Sequence, residues 1–330
     1  MKIRIVALIL CLISGSGSLA WAEQPPLCEH AFNAMTTRVT LAFTCLEEQP
    51  LNHSLYRAIE REFNRLNAKL NRYDPASQLS AANRQAAKEA VTIDGELMRL
   101  LVAAQRMSIL SDGAFDITFA STGYLYDFRD GLQPTSKQLS VQAGLSYRNL
   151  VLGAADSTVR FTHPQLMLDL GGIAKGYAVD QAIELLQGAG VKSARVTAGG
   201  DTRLLGDNNG HPWMIAIKHP RAPERQAVML PLMDTAISTS GDYERYFINE
   251  AGERVHHILS PETGKPVQGV LSATILAPTA MQSDALSTAV FVMGPERGIA
   301  LINRLPDIDA IIIDERLKMH YSDGLMVPKG

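Results

Sequence analysis

Residues 169–180 read Asp-Leu-Gly-Gly-Ile-Ala-Lys-Gly-Tyr-Ala-Val-Asp, and they constrain the fold more than any other stretch of the chain. An apolar run, Leu166-Met167-Leu168, ends there in a carboxylate; two glycines follow, and helical patterning begins around Lys175 and Gly176. An extended run, a tight turn and a helix start must therefore fit into one short span. A turn of this kind receives a phosphate or a nucleotide when its backbone N–H groups point outward. The spacing of Gly171, Gly172 and Gly176 matches neither G-x-G-x-x-G nor a Walker lysine followed by Ser or Thr. A strand-to-helix turn that needs glycine only for its backbone explains the same residues.

The N-terminus predicts export. Lys2 and Arg4 precede an apolar stretch from Ile5 to Ile13, then small residues, then Ala20-Trp21-Ala22, which is the order of a signal peptide cut after Ala22. The stretch is shorter than a transmembrane span, and no later apolar run reaches that length. Cys11 and Cys28 lack the setting of a lipidation site, so the pattern argues against a membrane anchor and for a periplasmic protein. The expected division is 1–22 signal peptide and 23–330 one catalytic domain. Processing removes two basic residues and no acid, so the net charge moves from −3 to −5. A mildly acidic chain without a basic block argues against nucleic acid as a partner. Cys28 and Cys45 remain, and an oxidising compartment allows either a disulfide or two free thiols.

Periodicity predicts a strand over 37–46 and an amphipathic helix over 54–70, with Leu55, Ile59, Phe63, Leu66 and Leu70 on one face. Asp94 is placed to cap a second helix, and a third runs from Ile173 to Leu186, stopping at Gly188 and Gly190. Strand-like runs follow at 194–197, 213–217, 228–232 and 273–276. A helix over 283–292 then precedes strands at 310–313 and 317–321. Strands cluster between helices without steady βαβ alternation, which predicts an α+β fold with largely antiparallel sheet.

Five polar islands carry the candidate chemistry. The first is 111–116, with Gly113 beside Ala114, Phe115 and Asp116; a helix C-cap and turn is the alternative. The second is 169–180, where the Gly172 carbonyl is free to point into a site and Lys175 suits a phosphate or carboxylate. The third, Ala198-Gly199-Gly200-Asp201, and the fourth, Ser238–Tyr243, read as polar turns or loops. The fifth joins 256–264 to 283–288, where Asp284, Ser287 and Thr288 share one helix face near its first turn. A carboxylate with hydroxyls suits Mg²⁺; helix capping explains Asp284 as well. A lone His257 fits a partly buried structural histidine or a titrating group.

Taken in order, Ala114-Phe115-Asp116, segment 169–180, Ala198–Asp201, Ser238–Tyr243, 257–264 and 284–288 resemble the FAD:protein FMN transferases of the ApbE family, over nearly the whole mature chain. The resemblance implies a T-fold-like single domain with mixed, largely antiparallel sheets packed by helices. It implies an exported enzyme that cleaves FAD, releases AMP and attaches FMN through a phosphoester to a threonine of a membrane redox flavoprotein. By position it implies that Met35, Tyr73, Ala114, Phe115, Asp116, Asp169, Lys175 and Ile258 contact FAD. It further implies that Mg²⁺ sits on the Gly172 carbonyl, Asp284 and Thr288, and that His257 is the general base or acid.

The chain departs from that pattern in places. Segment 117–123 lacks the Gly-Pro-Leu often found there, Ser260 stands where Asp or Asn is usual, and the stretch between the first strand and Tyr73 is short. Two other readings stay open at this level: a Mg²⁺-dependent FAD pyrophosphatase giving FMN and AMP, and a periplasmic flavin-binding protein without catalysis.

Overall fold

A computed structural model describes residues 26–142 and 144–326. The predicted signal peptide and its cut after Ala22 lie outside the described residues. The architecture is an eight-stranded sheet with long helices on one face. Its strands are β1 (Leu27–Ala34), β2 (Thr37–Thr44), β3 (Ala194–Ala198), β4 (Asp201–Leu205), β5 (Ala236–Gly241), β6 (Val270–Ala277), β7 (Asp309–Asp314) and β8 (Met319–Tyr321). They stand side by side in chain order. Every strand pair among the described residues is antiparallel, in keeping with the largely antiparallel α+β fold expected.

The long helices are α1 (Gln49–Leu70), α2 (Gly95–Leu110), α3 (Ala174–Gly188) and α4 (Ala280–Ile302). Alternation sorts the strand side chains between two faces. Val39, Leu41 and Phe43 join Ile59, Phe63, Leu66, Leu97, Leu101 and Ile183 under the helices. Ala273, Ile275, Ala310 and Ile312 pack on Val290 and Phe291 of α4. On the opposite face Leu204, Ile237, Leu276 and Ile311 meet Trp213, Ile217 and Leu232 of a hairpin formed by Trp213–His219 and Ala222–Leu232. Strand β6 is buried on both faces, which its unbroken small and apolar sequence permits.

Several expectations change. Helix α1 begins at Gln49, with Pro50 in its first turn, because a proline without an N–H costs nothing there. Residues 166–168 form no strand and join no sheet. Their polar backbone is paired instead by side chains: Leu168 N donates to Asn83 Oδ1 (2.8 Å), Asn83 Nδ2 donates to Leu168 O (3.0 Å), and Met167 N donates to Ser121 Oγ (2.9 Å). Ser238–Ser240, read as a polar loop, lies in the middle of the main sheet as part of β5. Its hydroxyls are satisfied in pairs, Ser238 with Ser283 (2.7 Å) and Thr239 with Thr274 (2.8 Å), so these side chains are buried or half-buried without being left unpaired.

Helix α4 extends beyond the predicted 283–292. Its helical bonds resume after Gly294, whose φ of 80° breaks the run before Pro295. Among the described residues α4 is the one helix long and apolar enough to cross a membrane by length and composition. Half of that apolar window is buried in the protein, against the sheet and α3. Cys28 and Cys45 form a disulfide that ties the start of β1 to the residue after β2.

Candidate active site

The site is assembled where the N-termini of α3 and α4 meet one end of the sheet. Gly176 makes that meeting possible: a β-carbon there would lie 2.2 Å from the Ala280 carbonyl oxygen. At this close approach the two helices cap each other. Asp284 of α4 accepts from Gly176 N of α3 (3.1 Å). One helical turn after Gly176, Asp180 accepts from Ala280 N (2.8 Å) and Met281 N (2.9 Å) of α4. Each carboxylate satisfies orphan N–H groups at the other helix's positive end. Asp180 also pairs with Arg203 at 2.6 Å.

The third island delivers Asp201 to the same place. Ala198 pairs with Asp201, leaving Gly199-Gly200 as a two-residue hairpin turn with φ of 64° at its first position. Buried Asp201 accepts from Lys175 Nζ at 2.6 Å, and Lys175 Nζ lies 3.6 Å from Asp284 Oδ2. One lysine thus faces two buried carboxylates and can neutralise one. Burial pushes the Asp284 carboxyl well above the usual range, and the Asp201 charge pushes it the same way against the pull of Lys175. Burial alone would lower the Lys175 ammonium pKa, but Asp201 and Asp284 overcome that and raise it. With both carboxylates ionised, the cluster is short of one positive charge.

That shortfall bears on whether a cation fits. A β-carbon on Gly172 would stand 3.5 Å from Thr288 Oγ1 and 3.2 Å from the Phe115 ring, so Gly172, Thr288 and Phe115 are immediate neighbours. Thr288, one turn beyond Asp284 on α4, is steadied by Ser240 Oγ at 3.4 Å, and Ser240 also pairs with Ser287 at 2.8 Å. Among the described residues no group of three or more His, Cys, Asp or Glu is placed to hold a metal. A carboxylate, a hydroxyl and the Gly172 backbone are instead hard-oxygen donors, the kind Mg²⁺ takes alongside phosphate oxygens. The residues present fit the ion.

The two adjacent histidines differ. His256 is buried, with Nε2 donating to the Val267 carbonyl (2.8 Å) and Nδ1 accepting from Ile258 N. His257 uses Nδ1 to donate to the Arg245 carbonyl (3.2 Å), which leaves Nε2 as the basic nitrogen. Burial first, then the Arg245 charge, lowers its pKa to about 4, and Lys175 is close enough to add to the effect. His257 is therefore an uncharged base at neutral pH.

The remaining residues implied by resemblance fall into three roles. Asp116 is almost wholly committed to backbone: Oδ1 accepts from Thr118 N and Oγ1, and Oδ2 from Tyr147 N (2.7 Å). Its carboxylate shapes the loop that carries Ala114 and Phe115. Phe115 is buried, and its N–H donates to Ser111 Oγ (2.9 Å). Ile258 is buried in the core beneath α4. Met35 opens the β1–β2 turn at φ 49°, next to Thr36 at 61°. A β-carbon on Gly199 would be 3.0 Å from Thr37 Oγ1, so the two hairpin turns lie side by side. Tyr73 is exposed, and Asp169 accepts from Gly171 N (2.7 Å) while pairing with Arg72. Sequence reasoning left two participants without a role: Asp201, visible as the acid ending a Gly-Gly turn, and Arg72, whose only signal was its place beside Tyr73.

The chain is similar to known proteins over most of its length. Residues 35–312 match the model of the ApbE family. A FAD:protein FMN transferase of Vibrio cholerae is 33% identical, the alignment covering 82% of this chain and 83% of the relative. One from Haemophilus influenzae is 31% identical over 89% and 90%. A crystal structure of an ApbE protein from Thermotoga maritima superposes with a TM-score of 0.82 at 32% identity, covering 90% of this chain and 97% of that one. The flavin transferase ApbE from Vibrio cholerae gives 0.80 at 29% identity, over 91% and 98%.

Proposed function

The chain belongs to the ApbE family, and from that premise we propose that it is a FAD:protein FMN transferase acting on a threonine of an exported or membrane redox flavoprotein. The observation that carries the chemistry is the buried Lys175–Asp201–Asp284 cluster, one positive charge short. Transferring a phosphoryl group demands positive charge at the phosphate and an in-line nucleophile. Mg²⁺ held by Asp284, Thr288 and the Gly172 carbonyl would neutralise charge on the pyrophosphate oxygens.

The chain's own residues do the rest. Lys175 presents a fixed ammonium to the phosphates, and exposed Tyr73 offers aromatic surface to the ligand's rings. His257 Nε2 takes the proton from the acceptor hydroxyl as its oxygen attacks the FMN-side phosphorus. The bond from that phosphorus to the AMP oxygen breaks, and AMP leaves with the electron pair. Arg245 keeps His257 in the tautomer this requires. Export to the periplasm is part of the proposal, supported by the order of residues 1–22 and by the Cys28–Cys45 disulfide, a bond of oxidising compartments.

The test is incubation of the mature protein with FAD, Mg²⁺ and an acceptor fragment carrying a candidate threonine. Mass spectrometry should find FMN added to that threonine, with AMP released one for one. Free FMN and AMP with an unmodified acceptor would replace transfer by hydrolysis.

A further inference from the structure

Arg72 follows the C-terminus of α1 and has no role in the chemistry above. Its side chain is only 8% exposed, yet it is not neutralised in an ordinary way. Nε lies 2.7 Å from Asp169 Oδ2, and Nη2 donates to Tyr73 Oη at 2.6 Å. Nε, although ion-paired, and Nη1 are both buried and neither makes a hydrogen bond. The guanidinium carbon sits 4.3 Å from the centroid of the Tyr73 ring and 5.0 Å from that of Tyr124. Both rings are more than half exposed. A planar cation is thus held against two open aromatic rings with both N–H groups of Nη1 unspent.

A buried donor left unpaired carries the full desolvation cost of that group, so such groups normally have a partner in the working state. Here the site around it supplies none from protein. We propose that Arg72 is a substrate-binding residue whose Nη1 donates to an acceptor atom of FAD, with Tyr73 and Tyr124 fixing the plane of its guanidinium. This rests on the FAD-transfer reading and adds a contact that resemblance to the family did not imply.

Asp169 balances the charge of Arg72 at the Nε side, which leaves Nη1 as the unengaged end of the fork. With Nε at Asp169 and Nη2 on Tyr73, Nη1 alone meets an acceptor of the nucleotide, without the two-nitrogen clamp of a bidentate phosphate contact. The stacking keeps the fork from rotating, so little side-chain freedom is lost when FAD binds.

The experiment measures binding of FAD, AMP and FMN separately to the wild-type mature protein and to Arg72→Lys and Arg72→Met. The lysine keeps a charge opposite Asp169 but lacks the planar fork. Both variants should raise the Kd for FAD by at least about tenfold. The same loss should appear with AMP or with FMN, and the half affected identifies the contacted atoms. KM for FAD should rise with kcat nearly unchanged. If Arg72→Lys binds FAD, AMP and FMN as the wild type does, Arg72 merely balances Asp169 and the inference is overturned. A wild-type protein that fails to bind FAD would instead overturn the parent reading.

Discussion

Lys175 between Asp201 and Asp284 and His257 against the Arg245 carbonyl are two electrostatic decisions that set the reactivity of the site. The second yields a pH prediction. A folded pKa of about 4 against about 6.5 unfolded means that the unfolded chain takes a proton the folded chain refuses. The contribution of His257 to stability is therefore fully present above pH 6.5 and is lost as pH falls from there towards 4. For catalysis the free base persists over the same range. At saturating Mg²⁺ the acid limb of kcat/KM should fall near pH 4; a midpoint near 6.5 would mean that the His257 pKa is not lowered in the working enzyme. His257→Asn should lower kcat by about 10²–10⁴-fold with FAD affinity little changed, measured by flavin binding alongside turnover.

At the scale of elements, what decides the site is the crossing of α3 and α4. Gly176→Ala forces a β-carbon into the Ala280 carbonyl, so the helices must part and both crossed caps loosen. Overpacking of this kind costs about 1–3 kcal/mol, which denaturant unfolding would register; an unchanged midpoint would show that the crossing is soft. The glycines of segment 169–180 illustrate how much could be read beforehand. A turn that needs glycine for its backbone was one reading of the segment, but Gly176 is required by close packing on the Ala280 carbonyl, about a hundred residues away, which leaves no local mark. The α3 span, its glycine stop and the Asp94 cap were all recoverable, because periodicity and capping act within a few residues. Strand β5 was not. Ser238, Thr239 and Ser240 look like loop, and only their hydroxyl partners Ser283, Thr274 and Ser287 make a buried strand of them. Likewise Asn83 replaces a neighbouring strand for Leu168, which no pattern around 166–168 could announce.

Across the whole molecule, one face of the sheet carries the helices and another the long hairpin, so chemistry is confined to the sheet end where turns meet helix N-termini. The order of motifs along the chain was legible because each turn retains its own glycine and acid. Their convergence depends on strand register, with Ala198 opposite Asp201 and Ser238 opposite Asp201 in turn. The Cys28–Cys45 disulfide fastens the opposite edge, closing a 17-residue separation. Replacing both cysteines by serine should reduce unfolding free energy by about 3 kcal/mol; identical melting with and without reductant would contradict this.

The central claim is that one carboxylate, Asp284, serves both the helix crossing and the transferred phosphate. Asp284→Ala tests it through paired measurements on one preparation: FAD affinity and the rate of AMP release with Mg²⁺. The account predicts retained FAD binding with AMP release abolished. AMP release at the wild-type rate would contradict it.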